Sequence, residues 1–407
     1  FGNKPYIDVK SSFNSLLPNN LSNIIKKKLI RYYLHRLENN PYLHDKVEFE
    51  ILFTCYDFTI DNRLKELENY GFTRNEITQI KSSLIIITRN ILNNFSVILS
   101  DCNESLMKLL TKRESILFGS ASSSNSYKVL LVSAERLLLD CKNYGTLPFS
   151  VMARIGFIGT ILLRSLQNMR IFEKKFYDNF MNSITTPLTE IQNDVSDFKK
   201  KKISKKTFFR KYGHLRPGTY DITQDRYDKN DAFFSDINFK KKEKPINQQF
   251  NKKIISDLLF KNLGMESSFD LIDFIRHVII QREKLKFEFT KNLSDALELI
   301  TKVGKQLGFT RDELANLDLT TILKSKNLSK INLQKIWSKK IELQKKKKQL
   351  NNFLNLPQII FSKNDFDIIH NHLSRPNFIT SKKITKQITK FEKNVPLESV
   401  ENKILLI

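Results

Sequence analysis

The sequence predicts a mainly α protein: a helical central domain with long antiparallel helices, a few short strands, and the start of an α/β domain at its C-terminal end. Three observations carry that class. Apolar residues recur at helical spacing through most of the 407 residues. Only 11 Gly and 10 Pro occur in that length, too few for collagen, propellers or turn-dense β-sandwiches. After Pro357 the texture changes to short β-like runs. Hydrophobic residues at 40% and charged residues at 27% are globular values, which excludes wholesale disorder, and the length suggests two or three domains.

Taken in order, the first helix runs from about Leu21 to Asn39. Ile25, Leu29, Tyr33 and Leu37 recur four apart on one stripe, with Pro18 and Asn20 before it and Pro41 after it as start and stop signals. Val47, Phe49, Ile51 and Phe53 then alternate with Lys46, Glu48, Glu50 and Leu52, which suits a half-buried strand and also permits a helix. Gly71-Phe-Thr-Arg-Asn-Glu-Ile77 and Gly308-Phe-Thr-Arg-Asp-Glu-Leu314 each end one helix with Gly and start another. Thr73 and Thr310 serve as N-caps, with Glu76 and Glu313 three residues on as reciprocal partners. They are a reused joint rather than a repeat, because little else matches around them. Gly119 to Ser126 reads as a mobile surface loop by composition.

A long helix follows from about Phe269 to Val303, with Leu271, Ile275, Val278, Leu285, Phe289, Ala296 and Val303 along one seam. A second, Lys330 to Phe353, carries Ile331, Ile336, Ile341 and Leu343 among dense Lys. Two such helices are expected to pair antiparallel. Gln358 to Phe361, Phe378 to Thr380 and Ile404 to Ile407 are the β-like runs. The expected organisation is a first helical part at 1–200, a Gly/His/Pro loop segment at 201–245, a long helical hairpin at 246–357, and a truncated α/β domain beginning at 358–407.

The net charge of +25 raises polyanions as partners, but 51 Lys against 17 Arg, with abundant Asn and Ile, is what AT-rich codons yield. Phosphate and base recognition favours the bidentate Arg fork, and Arg is scarce here, so the composition disfavours nucleic acid. The runs Lys199–Lys202, Lys240–Lys242 and Lys345–Lys348 read as solvated surface. No unbroken apolar run reaches the roughly 18 residues of a membrane span; Ile155 to Leu163 is the nearest, so no membrane is expected. Cys55, Cys102 and Cys141 form no CxxC pair, and with no leader pattern they suit a reducing cytoplasm. A chain opening on Phe1 and closing on an apolar run is expected to be a piece of a longer protein.

The stretch richest in chemistry is Phe208 to Asp221, followed by Gln224-Asp-Arg-Tyr-Asp228. Gly213, Pro217 and Gly218 interrupt any helix, and His214, Arg216, Asp221, Asp225 and Arg226 cluster around them. Two readings stay open: a ligand-binding loop, or a capped loop whose Arg and Asp pair with each other. Arg282 falls on the apolar seam of the long helix, where it must be paired or face a cleft. Arg154 stands beside Gly156-Phe-Ile-Gly159, a spacing that favours close helix packing. His44, Asp45, Glu48 and Glu50 could suggest a metal, but Lys46 among them argues against one, and no metal is expected.

Tyr212-Gly-His-Leu-Arg-Pro-Gly-Thr-Tyr-Asp221 resembles the Gly-His/Pro-Gly signature of phosphoenolpyruvate-utilising, dikinase-type phosphotransferases, including phosphoenolpyruvate synthase-like and rifampicin phosphotransferase-like proteins. Phe1–Asp8, Leu43–Glu50, Tyr144–Phe149 and Leu293–Glu298 are similar to the same middle region, in order. Pro376–Thr380 resembles the beginning of the family's swivelling phosphohistidine domain. The resemblance implies a three-part enzyme in which an ATP-grasp domain, using ATP and Mg, phosphorylates a mobile histidine that serves an acceptor. None of His35, His44, His214, His277, His370 and His372 lies in the Gly-rich Ser-His context of that carrier, and no Gly-rich phosphate loop is present. The expectation is therefore an acceptor-binding and connecting domain, catalytically incomplete alone. Its partners would be a small-molecule phosphoryl acceptor and the missing ATP-grasp and phosphohistidine domains. His214, Arg216, Asp221, Arg226, Arg282 and Arg154 are the candidate substrate- or phosphate-binding residues. The rival reading is a non-enzymatic basic helical adaptor binding RNA or another polyanion.

Overall fold

Stripes of apolar residues three and four apart can be buried only against other stripes, and this chain buries them helix on helix. A computed structural model describes residues 5–122, 126–172, 174–229, 251–266, 268–351, 356–362, 365, 385–390 and 404–406. The chain divides into two compact units, Phe1–Asn355 and Leu356–Ile407.

The first unit is helical. Its helices are α1 (Val9–Ser15), α2 (Asn23–Asn39), α3 (Val47–Glu50), α4 (Ile60–Lys65), α5 (Arg74–Asn93), α6 (Phe95–Ser122), α7 (Tyr127–Asp140), α8 (Leu147–Asn168) and α9 (Lys174–Ser183). They continue with α10 (Pro187–Lys199), α11 (Lys205–Tyr212), α12 (Lys252–Leu263), α13 (Leu271–Leu307), α14 (Arg311–Leu314), α15 (Leu319–Lys324) and α16 (Lys330–Asn351). The α2 stripe of Ile25, Leu29, Tyr33 and Leu37 is buried as expected, with Ser22 supplying the cap. The ambiguous alternation after Lys46 resolves into the single helical turn α3. Both joints form: Thr73 with Glu76 and Thr310 with Glu313 make reciprocal capping boxes, and Gly71 and Gly308 take left-handed φ of 78° and 82°. The segment read as a loop from Gly119 is helical as far as Ser122, and 123–125 lie outside the described residues.

Long antiparallel helices are present, but the pairing differs from the one expected. The partner of α13 is the rod made by α7, a π-turn (Cys141–Thr146) and α8, which runs without interruption from Tyr127 to Asn168. Leu137 meets Asn292, Gly145 meets Phe289, Gly156 meets Val278 and Gly159 meets Ile275, so one helix ascends as the other descends. The rod wins because α13 offers it a whole apolar stripe, from Leu271 to Leu307. By contrast, α16 touches the core through Leu333, Trp337 and Ile341, four apart on one face. Ile331, Ile336 and Leu343, expected in its seam, are exposed because they point away from that face.

The π-turn explains how Pro148 fits in a continuous helix. The Leu147 N–H bonds to the Lys142 carbonyl five residues back, which loosens the turn where a proline lacks its own N–H. Gly145 then lets α13 approach: a Cβ there would stand 2.5 Å from the Phe289 Cβ. Gly145→Ala is expected to cost about 1–3 kcal/mol by overpacking, read as a lower urea midpoint with unchanged slope.

The expectation that no segment could span a membrane needs correction for length and composition. Tyr127–Asn168 is long and apolar enough, with mean hydropathy 1.6 in its most apolar window, of which 44% is buried. Its buried part packs against α6 and α13.

In the second unit, β1 (Ile388–Lys390) and β2 (Ile404–Leu406) pair in parallel, Ile388 with Ile404. Gln358–Phe361 forms no strand, and Phe378–Thr380 lies outside the described residues. Two three-residue strands do not make an α/β domain, so the described residues do not support that part of the expectation.

Candidate functional site

The Gly-His loop begins where α11 ends. Ser204 caps that helix by accepting from the Thr207 N–H, and Tyr212 at its end is fully buried, its hydroxyl donating to Asp194 at 2.6 Å. Gly213 packs where a side chain would strike the Phe209 carbonyl and the Asp228 Cβ. The chain then returns on itself: the Tyr227 N–H donates to the Leu215 carbonyl and the Asp228 N–H to the Gly213 carbonyl. The result is a strap from 213 to 228 laid across α13.

Buried charge fastens it. The Arg216 side chain is 1% exposed and inserts against α13, where its Nη2 donates to Ser294 Oγ at 3.0 Å and to Glu298 at 3.2 Å. Its Nη1 donates back to the Asp221 and Gln224 carbonyls, so the strap is bonded to itself through the same guanidinium. Glu298 also accepts from Arg311, which donates to the Ile222 carbonyl and pairs with Asp225. One turn away, Asp295 joins Arg226 at 2.7 Å to Arg113 of α6 at 2.6 Å, and Arg226 also pairs with Asp228. Arg113, Arg216, Arg226 and Arg311 thus face Asp225, Asp228, Asp295 and Glu298, four charges against four. Burial lowers the Arg216 pKa, with Glu298 opposing it, yet a guanidinium stays charged throughout the working range.

Asp221 accepts from the Thr223 N–H and hydroxyl, which holds its carboxyl below the usual range. His214 is buried with its ring edge-on to Phe287, 4.9 Å between centroids. Burial, reinforced by Lys291, Arg226 and Arg113, pushes its pKa down to about 3. The neutral ring bonds to the Lys211 carbonyl, and Nε2 is left buried with no partner among the described residues. The ring therefore offers a lone pair and no charge. Ser294 donates to the His214 carbonyl at 2.6 Å, tying this residue to α13 as well.

The structure brings together four of the six residues expected in the site: His214, Arg216, Asp221 and Arg226. It sets the other two apart. Arg282 lies twelve residues before Ser294 on α13, roughly 18 Å along the axis, and its ion pair among the described residues is with its own neighbour Glu283, not with an acid of another helix. Arg154 donates to the Ser15 carbonyl at the end of α1, and burial lowers its pKa. Gly156 and Gly159, expected to permit close helix packing, do face Val278 and Ile275 of α13, but a Cβ at either would make only ordinary contacts of 3.4–3.8 Å.

The candidate list left out Arg113, Ser294, Asp295, Glu298 and Arg311, although Leu293–Glu298 is one of the segments that carry the resemblance. Asp295 and Glu298 carried a signal, being acids three apart beside the buried seam residues Phe289, Ala296 and Leu299. Arg311 was hidden by the capping motif that contains it. Nothing local in the sequence marks Arg113. Among the described residues no three His, Cys, Asp or Glu side chains gather to hold a metal ion. His44 bonds to the Pro41 carbonyl, and Glu50 faces Arg164.

No family model matches the chain. No curated protein and no solved structure matches it either.

Proposed function

We propose that this chain is the acceptor-binding and connecting domain of an ATP-dependent phosphotransferase that works through a phosphohistidine carrier. One observation carries the reading. Two segments similar to that family, far apart in sequence, pack on α13 at or within a few turns of a third, Leu293–Glu298, which lies on the helix itself. Phe149 of the first meets Phe289 at 5.4 Å, His214 of the second meets Phe287, and Arg216 reaches Glu298 in the third.

In this reading the paired arginines hold the strap in one shape, and phosphoryl transfer depends on such positioning more than on covalent chemistry by the protein. The ATP and Mg sites and the carrier histidine belong to other domains of the cytoplasmic enzyme, and the C-terminal unit would lead into the carrier domain. The test uses the complete enzyme. Arg216→Lys and His214→Gln are each expected to slow transfer to the acceptor roughly a hundredfold while leaving carrier-histidine phosphorylation by ATP unchanged. Normal transfer in both variants removes the site assignment.

The basic adaptor is the second reading, favoured by the exposed Lys run on α16. Half of that run is already engaged, Lys345 by Glu313 and Lys346 by Glu342. RNA binding that weakens steeply with salt would support it, and absent or salt-independent binding would remove it.

A further inference from the structure

Beside the strap lies an open cleft of ≈ 550 Å³, walled by Thr223, by the α14 turn from Thr310 to Asn316, and by the end of α16. We infer that this cleft binds a small hydroxyl-rich molecule carrying one anionic group, in the manner of a sugar acid. The volume is that of a small-molecule site. Its lining holds no aromatic ring and Ala315 as its apolar member, so a planar aromatic or a lipid finds no platform there.

The class follows from which groups are already committed. Thr223 donates to Asp221, the Thr310 hydroxyl and Glu313 are joined in the capping box, and Lys345 pairs with Glu313. Among the described residues, no hydrogen bond or ion pair engages the side chains of Asp312, Lys348 or Gln349, although all three line the cleft. A carboxylate and an amide accept from and donate to hydroxyls, while one ammonium suits one anionic group. Asp312 disfavours a second.

The wall is set in advance. Arg311 holds the Ile222 carbonyl at 2.9 Å and pairs with Asp225, so Thr223 between them is fixed by the same buried network that docks the strap. This gives Arg216, Glu298 and Arg311 a use beyond stability: they shape one side of the cleft. The inference deepens the phosphotransferase reading by naming the acceptor class, and rests on it only for the ligand being that acceptor.

The test is calorimetric titration of the 407-residue chain with sodium gluconate, glucose and inorganic phosphate. Gluconate should saturate, and glucose and phosphate should each bind more weakly. Lys348→Glu and Asp312→Ala should each weaken gluconate on the order of tenfold, while Lys347→Glu, on the same helix outside the cleft, should not. No saturation by gluconate, phosphate binding as tightly as gluconate, or equal losses in Lys347→Glu and Lys348→Glu would each overturn it. Binding that persists when the complete enzyme shows no transfer to a sugar acid would leave the cleft standing and remove the identification of its ligand as the phosphoryl acceptor.

Discussion

Asp295→Ala is expected to destabilise the first unit by about 3–5 kcal/mol, the largest loss for any single side chain of the buried network. The Asp295 side chain is 7% exposed and accepts from two arginines on different elements, Arg113 of α6 and Arg226 of the strap. Removing it leaves two guanidinium groups facing each other with little water to screen them. Glu298→Gln should cost less, since the amide still accepts from Arg216 and Arg311. Urea unfolding of both variants measures the difference. A loss below about 1 kcal/mol for Asp295→Ala would mean that water reaches the pair, and that the strap is not clamped by charge.

The second large effect is a dependence on pH. His214 is neutral in the folded protein with its pKa pushed down to about 3, against an ordinary value of 6.5. Between those values the unfolded chain binds a proton that the folded chain does not, so stability rises with pH there. The contribution is fully present above 6.5 and is lost as pH falls toward 3. Lowering the pH from 7 to 5 should remove about 2 kcal/mol through this residue alone. His214→Gln should flatten that part of the profile, whatever its effect at pH 7. An unchanged slope in the variant would show that the ring takes up a proton while buried.

Much of the fold was legible because its signals are local. The α2 stripe, the two capping joints and the apolar seam of α13 are each set by residues within a few turns of one another. The candidate loop was legible too, since Gly213, Pro217 and Gly218 break the helical pattern and gather charge around the break. The seam of α16 was misread because its exposed and buried apolar residues differ only in which face meets a neighbour. Leu333 and Trp337 face the core formed with α7 and α13, whereas Ile331 and Ile336 do not.

The sequence by itself therefore determined helix type, helix ends, and the break in the helical pattern where the charged strap forms. Periodicity and capping act over three or four residues, within reach of inspection. The tertiary structure alone decided that α13 pairs with the rod from Tyr127 to Asn168, and that the arginines of the strap spend their charge on Asp295 and Glu298. Those outcomes depend on which surfaces meet across 69 to 155 residues of chain, where burial selects partners and no local pattern records the choice. A charge's availability is likewise a property of its neighbours in space.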